Sequence, residues 1–214
     1  MNIKKIVRKV ILEKRLIKEQ KFQGKTIINV DIQPEYENYI NFDLNEWVTF
    51  LNRNAALNRI VFLYNGAETL GMIDESSYMM WLLELGVEED VINNAIFYDK
   101  GYAFFRYCID NSVEEDNIAD LVKYMIKHDI NDSRDINSDM WNNFMKETNK
   151  NQQEIRELLE ISDDMIHVPD LIDFINNYSN IILTGGGIEQ CLKEVEISLL
   201  ALDKNYEIIY EFTY

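Results

Sequence analysis

The chain has 214 residues, of which 47% are apolar, and a formal charge of -17. That is enough for one sizeable domain with a true core. Two prolines and eight glycines exclude long disordered linkers, and no apolar run of about 18 residues reads as a membrane span.

Two cysteines exclude a disulfide scaffold and point to a reducing, intracellular compartment. The two histidines, His128 and His167, stand far from each other and from both cysteines, so no transition-metal site is expected. The N-terminus has no apolar core followed by a small-residue cleavage site, so it does not read as a secretory signal. The charge is split. Residues 1–25 hold nine Lys/Arg against two Glu, and the remainder is strongly acidic. An acidic body repels nucleic acid and anionic membrane, which leaves the N-terminal segment as the one place for a polyanion contact.

In chain order, residues 1–25 place Ile3, Ile6, Val7, Val10 and Ile17 on one face of a basic amphipathic helix. Such a helix packs on the acidic body, on a twin subunit in a homo-oligomer, or on another partner. A strand follows over 26–31 and a helix over 43–54, with Asp43 as its cap. A second strand spans 59–64 and stops at Asn65-Gly66, and a helix over 74–86 ends at Gly86. A third strand spans 94–100. Three helical patterns follow, "SVEEDNIADLVKYMIKHD", "INSDMWNNFMKETN" and "QQEIRELLEI", then a helix opened by Pro169. "NIILT" is a fourth strand, residues 188–204 a helix, and "YEIIYEF" a last strand.

Strands alternating with helices predict a three-layer α/β/α domain over 26–214, around a mostly parallel, Rossmann-like sheet of about five strands. A helical insert at about 112–168 and the N-terminal helix complete it. In such sheets the functional crevice lies at the carboxyl ends of the strands. There the first strand delivers Asp31, the third Lys100, and the fourth a glycine triplet leading to Cys191. A thiol at a helix N-terminus beside a lysine is expected to favour thiolate, and a nearby carboxylate can carry its proton. Each residue also has a plainer role when taken alone. Asp31 can cap a turn, Lys100 can be solvated, Cys191 can be a small buried hydrophobe, and the glycines can form a turn or hold a phosphate. The GxGxxG and GK[ST] spacings of nucleotide sites are absent. The case for chemistry rests on the coincidence of three positions.

The order of these segments resembles the isochorismatase-like cysteine hydrolases, the superfamily that includes nicotinamidases. "NVDIQPEY" matches an Asp-x-Gln pattern with Asp31 and Gln33. "IFYDKGYAFF" supplies Lys100 ahead of Phe104 and Phe105, and "ILTGGGIEQCL" supplies the loop and Cys191. The resemblance implies Cys191 as nucleophile, Asp31 as general base and acid, and Lys100 as the charge that tunes both. It also implies a cis peptide at Gly186–Gly187 and an oxyanion and substrate site at Gln33, Gly186, Gly187 and Ile188, with the Cys191 N–H. The Asp-x-His metal pattern is missing, since the chain reads "YNGAETLG" after the second strand, so no metal or other cofactor is implied.

Two readings follow. One is a metal-independent cysteine hydrolase acting on a small amide, imide, related C–N or vinyl-ether substrate. The other is an inactive form of the same fold, serving as an interaction module through the basic helix and the acidic insert. In the insert, Trp141, Phe144 and Met145 form an apolar face, for core packing or for a partner.

Overall fold

A computed structural model describes residues 24–66, 71–100, 106–131, 133–149, 153, 155–157 and 170–214. Most of the basic N-terminal segment, most of the "QQEIRELLEI" pattern and Pro169 lie outside them. Five parallel strands form one sheet: β1 (Thr26–Val30), β2 (Arg59–Tyr64), β3 (Ile96–Asp99), β4 (Ile181–Gly185) and β5 (Tyr206–Ile208), in the order β3-β2-β1-β4-β5. The described helices are α1 (Leu44–Asn54), α2 (Glu75–Glu84), α3 (Glu89–Asn94), α4 (Arg106–Asp110), α5 (Glu115–Lys127), α6 (Ser138–Thr148), α7 (Asp170–Asn176) and α8 (Cys191–Ala201). The fold is a three-layer, Rossmann-like α/β domain.

Strand β1 is central and buried throughout, as its unbroken β-rich run requires when helices cover both faces. On one face, Ile27, Phe62 and Ile182 pack against Trp47 and Leu51 of α1 and Tyr78 and Leu82 of α2. On the other, Ile28, Val30, Val61 and Leu183 meet Leu171 and Ile175 of α7 and Leu192, Val195 and Leu199 of α8. Asp43 and Asp74 cap α1 and α2 by accepting from the N–H groups of Asn45 and Ser77. A buried polar knot sets the register at the sheet centre. Asn29 Oδ1 accepts from Trp47 Nε1 (3.1 Å) and Thr184 Oγ1 (2.7 Å), while its Nδ2 donates to the Val61 carbonyl (3.0 Å). Both polar atoms of this buried amide are engaged, so it joins β1, β2, β4 and α1.

Two elements differ from the sequence-based expectation. Strand β3 starts at Ile96, because Glu89–Asn94 forms the short helix α3. The last strand stops at Ile208, and Tyr210–Phe212 turns into a 3-10 helix. The Phe212 ring packs on Phe42 and Phe50, with centroids 5.8 and 5.3 Å away, and this anchoring draws the chain out of the sheet.

The described part of the acidic insert is an outer layer. In α5, Ile118, Leu121, Val122 and Met125 bury against Ile197 and Ala201 of α8. Trp141 and Phe144 of α6 are buried in the same cluster and Met145 is half-buried, so this face is core packing. Helix α8 therefore has apolar neighbours on both sides, which explains why its sequence is apolar nearly all round.

Candidate active site

The chain passes from β1 to β2 on one side and returns through β4 on the other. The topological switch point therefore lies between β1 and β4. Val30 and Gly185 are register partners at the carboxyl ends of these strands. Asp31 and the glycine loop thus leave the sheet side by side.

Asp31 is fully buried and has left-handed backbone, with φ of 49°. Aspartate tolerates this region better than most residues, but the conformation must be held. Its N–H donates to the Leu63 carbonyl (2.8 Å), and its carbonyl accepts from Tyr214 Oη (3.0 Å). The next carbonyl, of Ile32, accepts from the buried Tyr78 hydroxyl (2.7 Å).

Lys100 continues β3 by donating its N–H to the Tyr64 carbonyl (2.9 Å), and its side chain runs inward. Its Nζ lies 3.1 Å from Asp31 Oδ2 and 3.5 Å from Glu194 Oε2, and all three side chains are almost wholly excluded from solvent. Burial alone would lower the affinity of Lys100 for its proton. The charges of Asp31 and then Glu194 outweigh that and hold it well above the ordinary lysine range.

Cys191 is the first residue of α8 and is half-buried, close enough to Asp31 for its thiol to feel that charge. The expected thiolate is not favoured here. Burial first, and the Asp31 carboxylate second, push the Cys191 thiol up to about 12, against a smaller opposing pull from Lys100. The Cys191 side chain is therefore a protonated thiol near the Asp31 carboxylate.

The glycine loop reaches this geometry without the expected cis bond, because the described residues contain none. The turn is made by left-handed Gly185 (φ 75°) and Gly186 (φ 68°). A Cβ on Gly185 would strike the Val30 carbonyl oxygen and the Ile32 side chain, and one on Gly186 would crowd the Leu192 N–H. Gly185→Ala is expected to cost about 2–4 kcal/mol from left-handed strain plus overpacking. Gly187 has neither feature, so Gly187→Ala should stay within about 1 kcal/mol of the native protein. Urea denaturation midpoints of the two variants check this, and equal midpoints would refute it.

The oxyanion donors differ from those the resemblance implies. The Ile188 N–H is spent on the Tyr214 carbonyl (2.8 Å), and the Gly186 carbonyl accepts from Tyr214 N–H (3.2 Å). Gln33 is fully buried, and its amide is already engaged. Its Oε1 accepts from Asn65 N–H (2.8 Å), and its Nε2 reaches Glu35 (3.0 Å) and the Asn65 carbonyl (3.3 Å). Gln33 braces the loop after β2. Among the described residues, the Gly187 and Cys191 N–H groups take no backbone acceptor, and they are the donors that remain at the head of α8.

Three further groups belong to this neighbourhood. Glu194 lies three residues after Cys191, which puts both on one helix face. Tyr36 and Tyr214 are half-buried, and each feels the charges of Asp31 and Cys191. Burial first and Asp31 second raise the Tyr36 phenol to about 12 and the Tyr214 phenol further, so both rings stay neutral. Among the described residues, no group of three or more His, Cys, Asp or Glu is arranged to hold a metal. No helix among them is long and apolar enough to cross a membrane.

No protein-family model matches the chain, and comparisons with characterised proteins and with solved structures find no match.

Proposed function

We propose that this chain is a cysteine hydrolase that opens a planar carbon–nitrogen bond in a small molecule. The observation that carries the reading is the meeting of Asp31, Lys100 and Cys191 at the switch point, with a buried carboxylate facing both the amine and the thiol. Because the resting thiol is protonated, attack is coupled to proton transfer. Cys191 Sγ bonds to the substrate carbon as Asp31 takes its proton. Asp31 then returns that proton to the leaving nitrogen, and water releases the acyl group from sulfur by the reverse sequence. The Gly187 and Cys191 N–H groups are placed to hold developing negative charge at the start of α8. Lys100 sets its positive charge 3.1 Å from the Asp31 carboxylate that takes the proton.

The test is turnover. Ammonia or amine release from a panel of small amides and imides should be abolished in Cys191→Ala while the circular dichroism spectrum stays native. Undiminished turnover in that variant overturns the assignment. A second reading is favoured by the pairing of Lys100 with Glu194 as well as Asp31, which makes a closed ion cluster suited to a purely structural role. In that case Cys191 would be as inert to thiol reagents as the buried Cys108, and the protein would act as an interaction module.

A further inference from the structure

We infer that Tyr214 is a positioning residue of the proposed reaction, a strut that sets the distance between the proton carrier Asp31 and the nucleophile Cys191. The inference rests on the hydrolase reading and adds to it a residue that acts through the backbone of both loops.

The need for a strut follows from how the two groups are carried. Asp31 leaves β1 in left-handed backbone (φ 49°), and the glycine loop leaves β4 through left-handed Gly185 and Gly186 (φ 75° and 68°). The strands themselves pair only as far as Val30 and Gly185. Beyond that pair, among the described residues, no backbone hydrogen bond runs directly from 31–33 to 186–191. Left-handed backbone at a non-glycine residue is unfavourable and persists only where neighbours hold it. Without a tie, the carboxylate and the thiol would each follow its own loop.

Tyr214 supplies that tie from both ends of one residue. Its hydroxyl donates to the Asp31 carbonyl (3.0 Å). Its N–H donates to the Gly186 carbonyl (3.2 Å), and its own carbonyl accepts from the Ile188 N–H (2.8 Å). The Gly187 carbonyl belongs to the same peptide unit as the Ile188 N–H, and it accepts from the N–H groups of Gln190 (2.9 Å) and Leu192 (3.2 Å). A peptide unit is planar and stiff, so holding its N–H also aims its C=O. A continuous path thus joins the Asp31 backbone to the first turn of α8, one residue from Cys191.

The strut is itself anchored. The Ile209 N–H donates to the Leu183 carbonyl (3.0 Å), which ties the turn to the sheet. Phe212 packs on the rings of Phe42 and Phe50, and the buried Thr213 donates its hydroxyl to the Tyr210 carbonyl (3.0 Å). Phe212 already fastens this turn to the core, so Tyr214 is not needed for that. All three of its hydrogen bonds go instead to the two loops that carry the reacting groups. Such support matters to chemistry, because a misplacement of about 1 Å at a reacting pair costs on the order of 10²-fold in rate.

The test is a double-mutant cycle read at Cys191 in the full chain. Alkylation by iodoacetamide at pH 8 is followed by mass spectrometry in the native protein, Asp31→Asn, Tyr214→Phe and the double variant. Tyr214→Phe removes one hydroxyl and keeps the ring and the main-chain bonds. In the native background, Asp31→Asn should speed alkylation by about tenfold or more, because the Asp31 charge raises the thiol. In the Tyr214→Phe background that factor should be smaller by about threefold or more, because the carboxylate no longer sits at its set distance. A purely structural Tyr214 would lower the denaturation midpoint and leave the two factors equal. Equal factors overturn the inference while the hydrolase reading stands. If Asp31→Asn leaves alkylation unchanged in the native background, Asp31 and Cys191 do not act on each other, and both readings fall. Should Tyr214→Phe not fold, hydrogen exchange in the native chain decides. The Ile188 amide should then be protected at least about tenfold more than that of Gly187, which takes no backbone acceptor among the described residues, and equal protection overturns the strut.

Discussion

Replacing Lys100 with methionine is expected to destabilise the fold by about 3–5 kcal/mol at neutral pH, because it leaves buried carboxylates without their cation. For a domain of this size, that is a fall in Tm of roughly 6–20 °C. The native pair gains little over an apolar equivalent, since desolvation cancels most of the attraction. The penalty comes from removing one partner alone. Asp31 Oδ2 and Glu194 Oε2, at 3.1 and 3.5 Å from Lys100 Nζ, are in the same excluded volume and have no room to hydrate. The effect should depend on pH in a definite direction. Lys100 holds its proton more tightly in the folded state than the ordinary 10.5. Its contribution is thus fully present below about 10.5 and lost as pH rises through the folded value. Urea or thermal denaturation at pH 8 checks this, and a variant as stable as the native protein would mean that the carboxylates do not depend on Lys100.

Much of this architecture is legible in the residues themselves. "TIINV", "RIVFLY" and "NIILT" are short, continuous β-rich runs, and helical patterns separate them, so a parallel sheet follows. The carboxyl ends of the first, third and fourth strands then bring Asp31, Lys100 and Cys191 to one rim. What stays hidden depends on distant contacts. Glu194, a single charged residue on a helix, reads as a solvated side chain. It is buried because its side chain turns inward to Lys100, 3.5 Å away, and the surviving signal is its three-residue offset from Cys191. Tyr214 enters the site because Phe212 anchors against α1 and turns the chain back. Gln33 is claimed by the backbone of Asn65, which lies 32 residues away. The direction of the Cys191 shift is a balance of burial and three charges, and a helix N-terminus with a nearby lysine favours the opposite sign.

Asp31→Asn is expected to separate reactivity from turnover. The Asp31 charge ranks second after burial among the causes that raise the Cys191 thiol. Removing it lowers that value, so the thiolate fraction at pH 8 rises and alkylation by iodoacetamide becomes faster. Cys108 is raised to about 12 by burial alone, and serves as an internal reference that should not change. Hydrolysis should move the other way. An amide cannot accept the thiol proton or return it to a leaving nitrogen, so turnover should fall by about 10²- to 10⁴-fold. The substitution keeps size and shape, and asparagine also tolerates the left-handed backbone that this position requires. Loss of activity would then reflect proton transfer rather than a displaced loop, and an unchanged denaturation midpoint would establish that. If alkylation slows in Asp31→Asn, the carboxylate activates the resting thiol instead of holding its proton. If turnover survives, the proton carrier is another group, and Glu194, on the same helix face as Cys191, becomes the next residue to replace.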